Sequence, residues 1–141
     1  MTTAQHLAAI ELLRAAAFPA VRGPTGPGTG GPGWALVELA GGADTEQCGA
    51  EHTALVDLLT VRLGEPDVLS LWSLQARVTG GEEIPEPWRE LSSGPRWLHL
   101  WRIGGRWLAV GLADGSGSGS VEGADGPGCR LLAAVTETDP P

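Results

Sequence analysis

Four residues of this chain carry the side chains of a metal centre or of a nucleophile and its base: Cys48, His52, His99 and Cys129. Cys48 and His52 stand four apart, so on a helix they share a face. Two thiolates and two imidazoles would satisfy a tetrahedral zinc ion. A thiol beside an imidazole is also the minimum for nucleophilic catalysis. Neither pattern is specific. The intervals from 52 to 99 and from 99 to 129 follow no zinc-finger spacing, and helical periodicity alone accounts for the first pair. The plainer expectation is two buried thiols and a histidine at the edge of an apolar stripe. No metal and no organic cofactor are expected.

Other catalytic signatures are weaker still. Gly26-Pro27-Gly28-Thr29-Gly30-Gly31 fits G-x-G-x-x-G letter by letter. The dinucleotide fingerprint needs a strand before it and a helix after it, and here Pro and Gly surround it. A phosphate loop needs a Lys, and the chain has none. No G-x-S-x-G elbow occurs. Ser116, Ser118 and Ser120 lie in a Gly-Ser tract that cannot hold a nucleophile in place. Glu82, Glu83, Glu86 and Glu90 cluster, but such runs are normally solvated faces rather than acid–base pairs.

Two groups of residues suit recognition better than catalysis. Glu82-Glu83-Ile84-Pro85-Glu86-Pro87-Trp88-Arg89-Glu90 combines four acids with an indole, and its prolines lower the entropy lost on docking. Trp88 would be the anchor and Glu82, Glu83, Glu86 and Glu90 the charged rim. The plainer alternative has Trp88 plugging the core. The second group is His99, Arg102 and Trp107, candidates for a ligand pocket. Arg102 would lie opposite Trp107 and stack on it.

These residues need elements to position them. Residues 3–17 read as a helix with Leu7, Ile10, Leu13 and Ala17 on one face and Thr3 as its N-cap. Residues 45–63 read as a second helix. His52, Leu55, Val56, Leu59 and Leu63 line one face, Asp44 and Gln47 have capping-box spacing, and Gly64 and Pro66 end it. Residues 34–40 read as a strand, 67–79 as a longer strand, and 130–137 as the last. Trp97–Ile103 and Arg106–Leu112 flank Gly104-Gly105, the signature of a type I′ hairpin. That turn pairs Ile103 with Arg106, Trp101 with Leu108, His99 with Val110 and Trp97 with Leu112. Both hairpin faces are then largely apolar, so the hairpin is central in its sheet or meets a partner. Tracts 23–33 and 115–128, rich in Gly with Pro or Ser, read as flexible.

The expected architecture is a single α+β domain over 1–141. It has two layers: an antiparallel sheet of about five strands with two helices packed on one face.

The composition excludes more than it selects. The 141 residues carry a net charge of −8. Clustered Lys and Arg are absent, which argues against a nucleic-acid backbone or an anionic membrane as partner. No apolar run is long enough to span a bilayer. Lys, Asn and Tyr are missing altogether and all nine bases are Arg, the mark of GC-rich coding rather than of selection for guanidinium chemistry. The N-terminus lacks the basic region of a secretory signal, so a cytoplasmic protein with reduced Cys48 and Cys129 is expected.

Three functional classes remain. The first is an acidic, non-catalytic protein-binding module of the immunity-protein or escort-chaperone type, steered toward a basic partner by its charge. The second is a small-ligand binder or enzyme with a Trp-lined pocket whose polar group is His99 or His52. The third is a subunit of an assembly, such as a homodimer through the hairpin face. The first is the leading expectation.

Overall fold

The computed structural model describes residues 3–24, 28–42, 45–92, 94–114 and 129–141. In chain order its elements are α1 (Thr3–Ala15), β1 (Gly23–Pro24), β2 (Thr29–Gly31), β3 (Trp34–Gly42), α2 (Thr45–Leu63), β4 (Asp67–Ser70), α3 (Leu71–Thr79), α4 (Trp88–Leu91), β5 (Trp97–Ile103), β6 (Arg106–Asp114) and β7 (Cys129–Thr136). The strands form one seven-stranded sheet in the order β1-β2-β3-β7-β6-β5-β4. Every neighbouring pair is antiparallel. The α+β class with an antiparallel sheet is therefore as expected. The details are not: the sheet has seven strands rather than about five.

The Gly-Gly hairpin forms as its sequence dictates. Gly104 and Gly105 have φ of +56° and +83°, the left-handed conformations that a type I′ turn requires at both positions. The register runs from Ile103 opposite Arg106 to Leu98 opposite Gly111. Helix α2 matches its expected bounds. Gly64 ends it with φ of +99° and an N–H donated to the Thr60 carbonyl at 2.9 Å. Asp44, the expected capping residue, lies outside the described residues, as does the Gly-Ser tract 115–128.

The sheet is covered on both sides, not on one. Strand alternation sends Trp101, Leu108, Val110, Leu131, Ala133 and Val135 to one face. There they meet Ile10 and Leu13 of α1 and Leu55 and Leu59 of α2. It sends Leu98, Leu100, Ala109, Leu132 and Ala134 to the other face. There they meet Leu71 and Leu74 of α3, Ile84, and Trp88 and Leu91 of α4. The second apolar face of the hairpin is thus filled by helices of the same chain.

Helix α3 overturns the long strand expected over 67–79. Only 67–70 is extended. The alternation of Trp72, Leu74, Ala76 and Val78 imitates a strand, yet Leu71, Leu74 and Val78 also recur at i, i+3 and i+7. Helical spacing buries Leu71 and Leu74 on the sheet and leaves Trp72 77% exposed, where the strand reading had it inward. The stretch is also rich in Leu, Gln, Ala and Arg, which favour helix over strand. The Gly/Pro tract 23–33 is not wholly irregular either. Gly23–Pro24 and Thr29–Gly31 add two short strands at the edge beside β3.

Cys48 and Cys129 are joined in a disulfide, with Cα atoms 6.4 Å apart and a sequence separation of 81. This corrects the expectation of two free thiols. The bond ties the first turns of α2 to the start of β7. Among the described residues no helix is long and apolar enough to cross a membrane.

Candidate functional site

The disulfide decides the fate of the first constellation. With both sulfurs bonded to each other, neither Cys48 nor Cys129 can ligate zinc as a thiolate or act as a nucleophile. Among the described residues no group of three or more His, Cys, Asp or Glu is arranged to hold a metal. The two histidines nevertheless converge. His52 lies one helical turn beyond Cys48 on α2, and its ring centroid is 5.4 Å from that of His99 on β5. His99 in turn lies 6.4 Å from Trp101, with the rings close to parallel.

The two imidazoles line one wall of a cleft of about 530 Å3, whose other lining residues are Val68, Arg96, Trp97 and Leu112. Its origin is a mismatch between sheet and helices. On this face α1 and α2 pack chiefly over β3, β7 and β6. Edge strand β4 and the start of β5 lie beyond that cover. Val68 pairs with His99 across the strands, so both side chains stand on the same uncovered face. Val68 and Trp97 remain 57% and 56% exposed, although the pattern of the strands would bury them in a fully covered sheet.

The walls of the cleft are held firmly. The indole N–H of Trp101 donates to the Gly64 carbonyl at the end of α2, at 2.8 Å. His6 of α1 is fully buried and lies 2.8 Å from Glu51, the residue before His52. Together with the disulfide, these contacts fix α2 against β5, β7 and α1.

The cleft's electrostatics are unusual for a chain of such negative charge. Arg96 is its sole charged lining residue, and among the described residues it forms no ion pair. His52 titrates below the ordinary imidazole value because burial disfavours the charged ring, and the neighbouring His99 adds repulsion. Burial lowers His99 as well. His52 Nε2 and His99 Nδ1 are both buried and have no hydrogen-bond partner.

A pH prediction follows from these directions. Both imidazoles have folded-state values below their unfolded value of about 6.5, so below that pH the unfolded chain binds more protons than the fold. Their contribution to stability is fully present above about pH 6.5 and is lost as the pH falls through the folded values. The urea midpoint should drop between about pH 7.5 and pH 5. The drop should shrink in the double variant His52→Gln/His99→Gln. An equal drop in the variant would show that other groups carry it.

The structure does not assemble the acidic loop as expected. Trp88 is fully buried among Leu71, Leu91 and Leu98, and its indole N–H donates to the Thr138 carbonyl at 3.2 Å. It is a core residue and cannot anchor a partner. Several acids are already engaged. Glu82 is hydrogen-bonded to Arg77, which holds its carboxyl below the usual range. Glu86 and Glu90 lie 3.8 and 3.5 Å from Arg22. Glu83 is exposed.

The expected trio of His99, Arg102 and Trp107 is not brought together either. Strand alternation puts His99 on the α1/α2 face and Arg102 and Trp107 on the α3/α4 face. The expected stacking is present: the Arg102 guanidinium carbon sits 5.5 Å from the Trp107 ring centroid. The Trp107 indole N–H donates to Asp139 at 2.9 Å.

Two other clefts are self-compensated. One of about 280 Å3 contains the Arg14–Glu11 pair. It also holds Arg106, which stacks on Phe18 and donates to the Arg14 carbonyl. Another, of about 500 Å3, holds Arg22 with Glu86 and Glu90. No family model, curated protein or solved structure matches the chain at a significant level.

Proposed function

We propose that the protein is a non-catalytic binding module, and that its binding site is the His52/His99 cleft rather than the acidic loop. One observation carries this reading. Trp97 and Val68 stay more than half exposed beside two imidazole rings that line the same cleft of about 530 Å3. Ligand sites are of this size and character, largely apolar with a few polar groups that orient the guest. Exposed apolar side chains represent free energy that a guest molecule would recover. Among the described residues no Ser, Thr, Cys, Asp or Glu lines the cleft, which favours binding over acyl transfer or carboxylate chemistry.

A neutral, environment-sensitive dye such as Nile red tests the reading. Its emission should rise with the native protein and saturate near one dye per chain. Trp97→Ala should weaken this at least tenfold while leaving thermal stability nearly unchanged, because the side chain is half exposed. Equal dye binding by native protein and variant would place the dye elsewhere and remove support for the cleft.

A second reading remains from the sequence: an acidic module of the immunity or escort type that binds a basic protein. Trp72, Val68 and Trp97 give it specific support, since they are 77%, 57% and 56% exposed around the edge strand β4. Aromatic anchors beside an unpaired strand edge suit a protein partner. That surface is distinct from Trp88. A basic partner lost on Trp72→Ala, but retained in charge-reversed loop variants, would favour it.

A further inference from the structure

We infer that the cleft takes an apolar organic monocarboxylate, its hydrocarbon body laid along Trp97, Val68 and Leu112 and its carboxylate turned toward Arg96. This inference rests on the reading of the cleft as a ligand site and adds the chemical class of the ligand.

Charge complementarity selects the class. Arg96 is the one charged residue of the lining and has no ion-pair partner among the described residues. Two guanidinium groups at other clefts are already engaged: Arg14 faces Glu11, and Arg22 faces Glu86 and Glu90. A planar guanidinium with free donors matches a carboxylate in shape and sign. The other polar groups agree. His52 and His99 line the same cleft. A neutral imidazole carries one N–H donor, and carboxylate oxygens accept only. Among the described residues no carboxylate lines the cleft to repel the guest.

Neighbouring chemistries fit less well. A cationic amphiphile would meet Arg96 with no counter-charge. A neutral alcohol would use the apolar walls and leave the guanidinium unpaired. A multiply charged phosphate would find a single cation in a chain of net charge −8. That net charge opposes any anion at long range, but at about 0.15 M salt charges more than roughly 8 Å away are largely screened.

Displacement of Nile red separates the possibilities. Octanoate, octanol and octylammonium share one hydrocarbon body and differ in the head group. At about 0.15 M salt, octanoate should displace the dye at a concentration roughly tenfold lower than octanol, the ratio expected for one charge-assisted hydrogen bond. Octylammonium should be the weakest. Arg96→Gln should cut octanoate affinity about tenfold and leave octanol unchanged, while Arg96→Lys should recover part of the loss. Equal displacement by octanoate and octanol overturns the carboxylate and leaves the cleft standing. Failure of every compound to displace dye that Trp97→Ala does abolish also overturns it. Failure of the dye itself to bind overturns the cleft reading.

Discussion

Trp88→Ala should destabilise the fold by about 3–5 kcal/mol, as deletion of a large buried aromatic side chain does. The indole fills the contact between α4, α3 and the α3/α4 face of the sheet, with no exposed surface. The Thr138 carbonyl also loses the indole N–H that donates to it, which adds a smaller cost at the C-terminal end. Urea unfolding followed by fluorescence would measure it. Reversal of the exposed acids Glu83 and Glu90 should shift stability by no more than about 0.5 kcal/mol, the usual size for surface changes. The contrast matters because residues 82–90 look like one recognition loop in the sequence. A Trp88→Ala protein as stable as the native one would restore the indole to the surface.

Loss of the Cys48–Cys129 bond should cost about 4 kcal/mol in the chain-entropy account, given the 81-residue separation of its ends. For a chain of this size the melting temperature would fall by roughly 10 °C. The double variant Cys48→Ala/Cys129→Ala and the reduced native protein should agree, because both remove the same constraint. Reduction should also weaken dye binding. The bond sits one helical turn before His52, and it holds the wall of the cleft against β7. A melting temperature indifferent to reductant would mean that the cross-link contributes nothing to the fold in solution.

The hairpin and α2 were legible in the sequence because each is determined locally. Gly104 and Gly105 allow little but a tight turn, and that turn alone sets the pairing out to Leu98 and Gly111. The apolar stripe of the 19-residue helix α2 runs about three turns, from His52 to Leu63, and Gly64 closes it. Residues 67–79 were not legible, since Leu74 and Val78 fit both periods, Trp72 and Ala76 complete a strand pattern and Leu71 a helical one, and only packing on the sheet decides between them. The apolar second face of the hairpin was noticed, but its cover was not, because α3 and α4 were hidden in a supposed strand and loop.

The candidate site was half visible. His52 and His99 stood out as residue types, and the pairing of His99 with Val110 was read correctly. Val68 and Arg96 were missed as lining residues. Their place depends on β4 pairing with β5, a contact that the over-long strand concealed. Trp88 misled for the opposite reason: acids and prolines around an indole imitate an exposed loop, and burial is a property of the assembled sheet.

The position of β7 has a consequence for how the molecule is made. It is the last strand in sequence, yet it lies between β3 and β6 near the middle of the sheet. Until Cys129–Thr136 leaves the ribosome, β3 and β6 each carry a bare edge, and no strand hydrogen-bonds the two halves of the sheet together. Insertion of β7 therefore sets a keystone, and the nascent chain presents two unpaired, apolar strand edges until then. Such edges are templates for pairing with other chains. Yield in the cell should depend on how quickly those last residues arrive, and a stop codon before residue 129 should produce aggregate rather than a smaller folded protein.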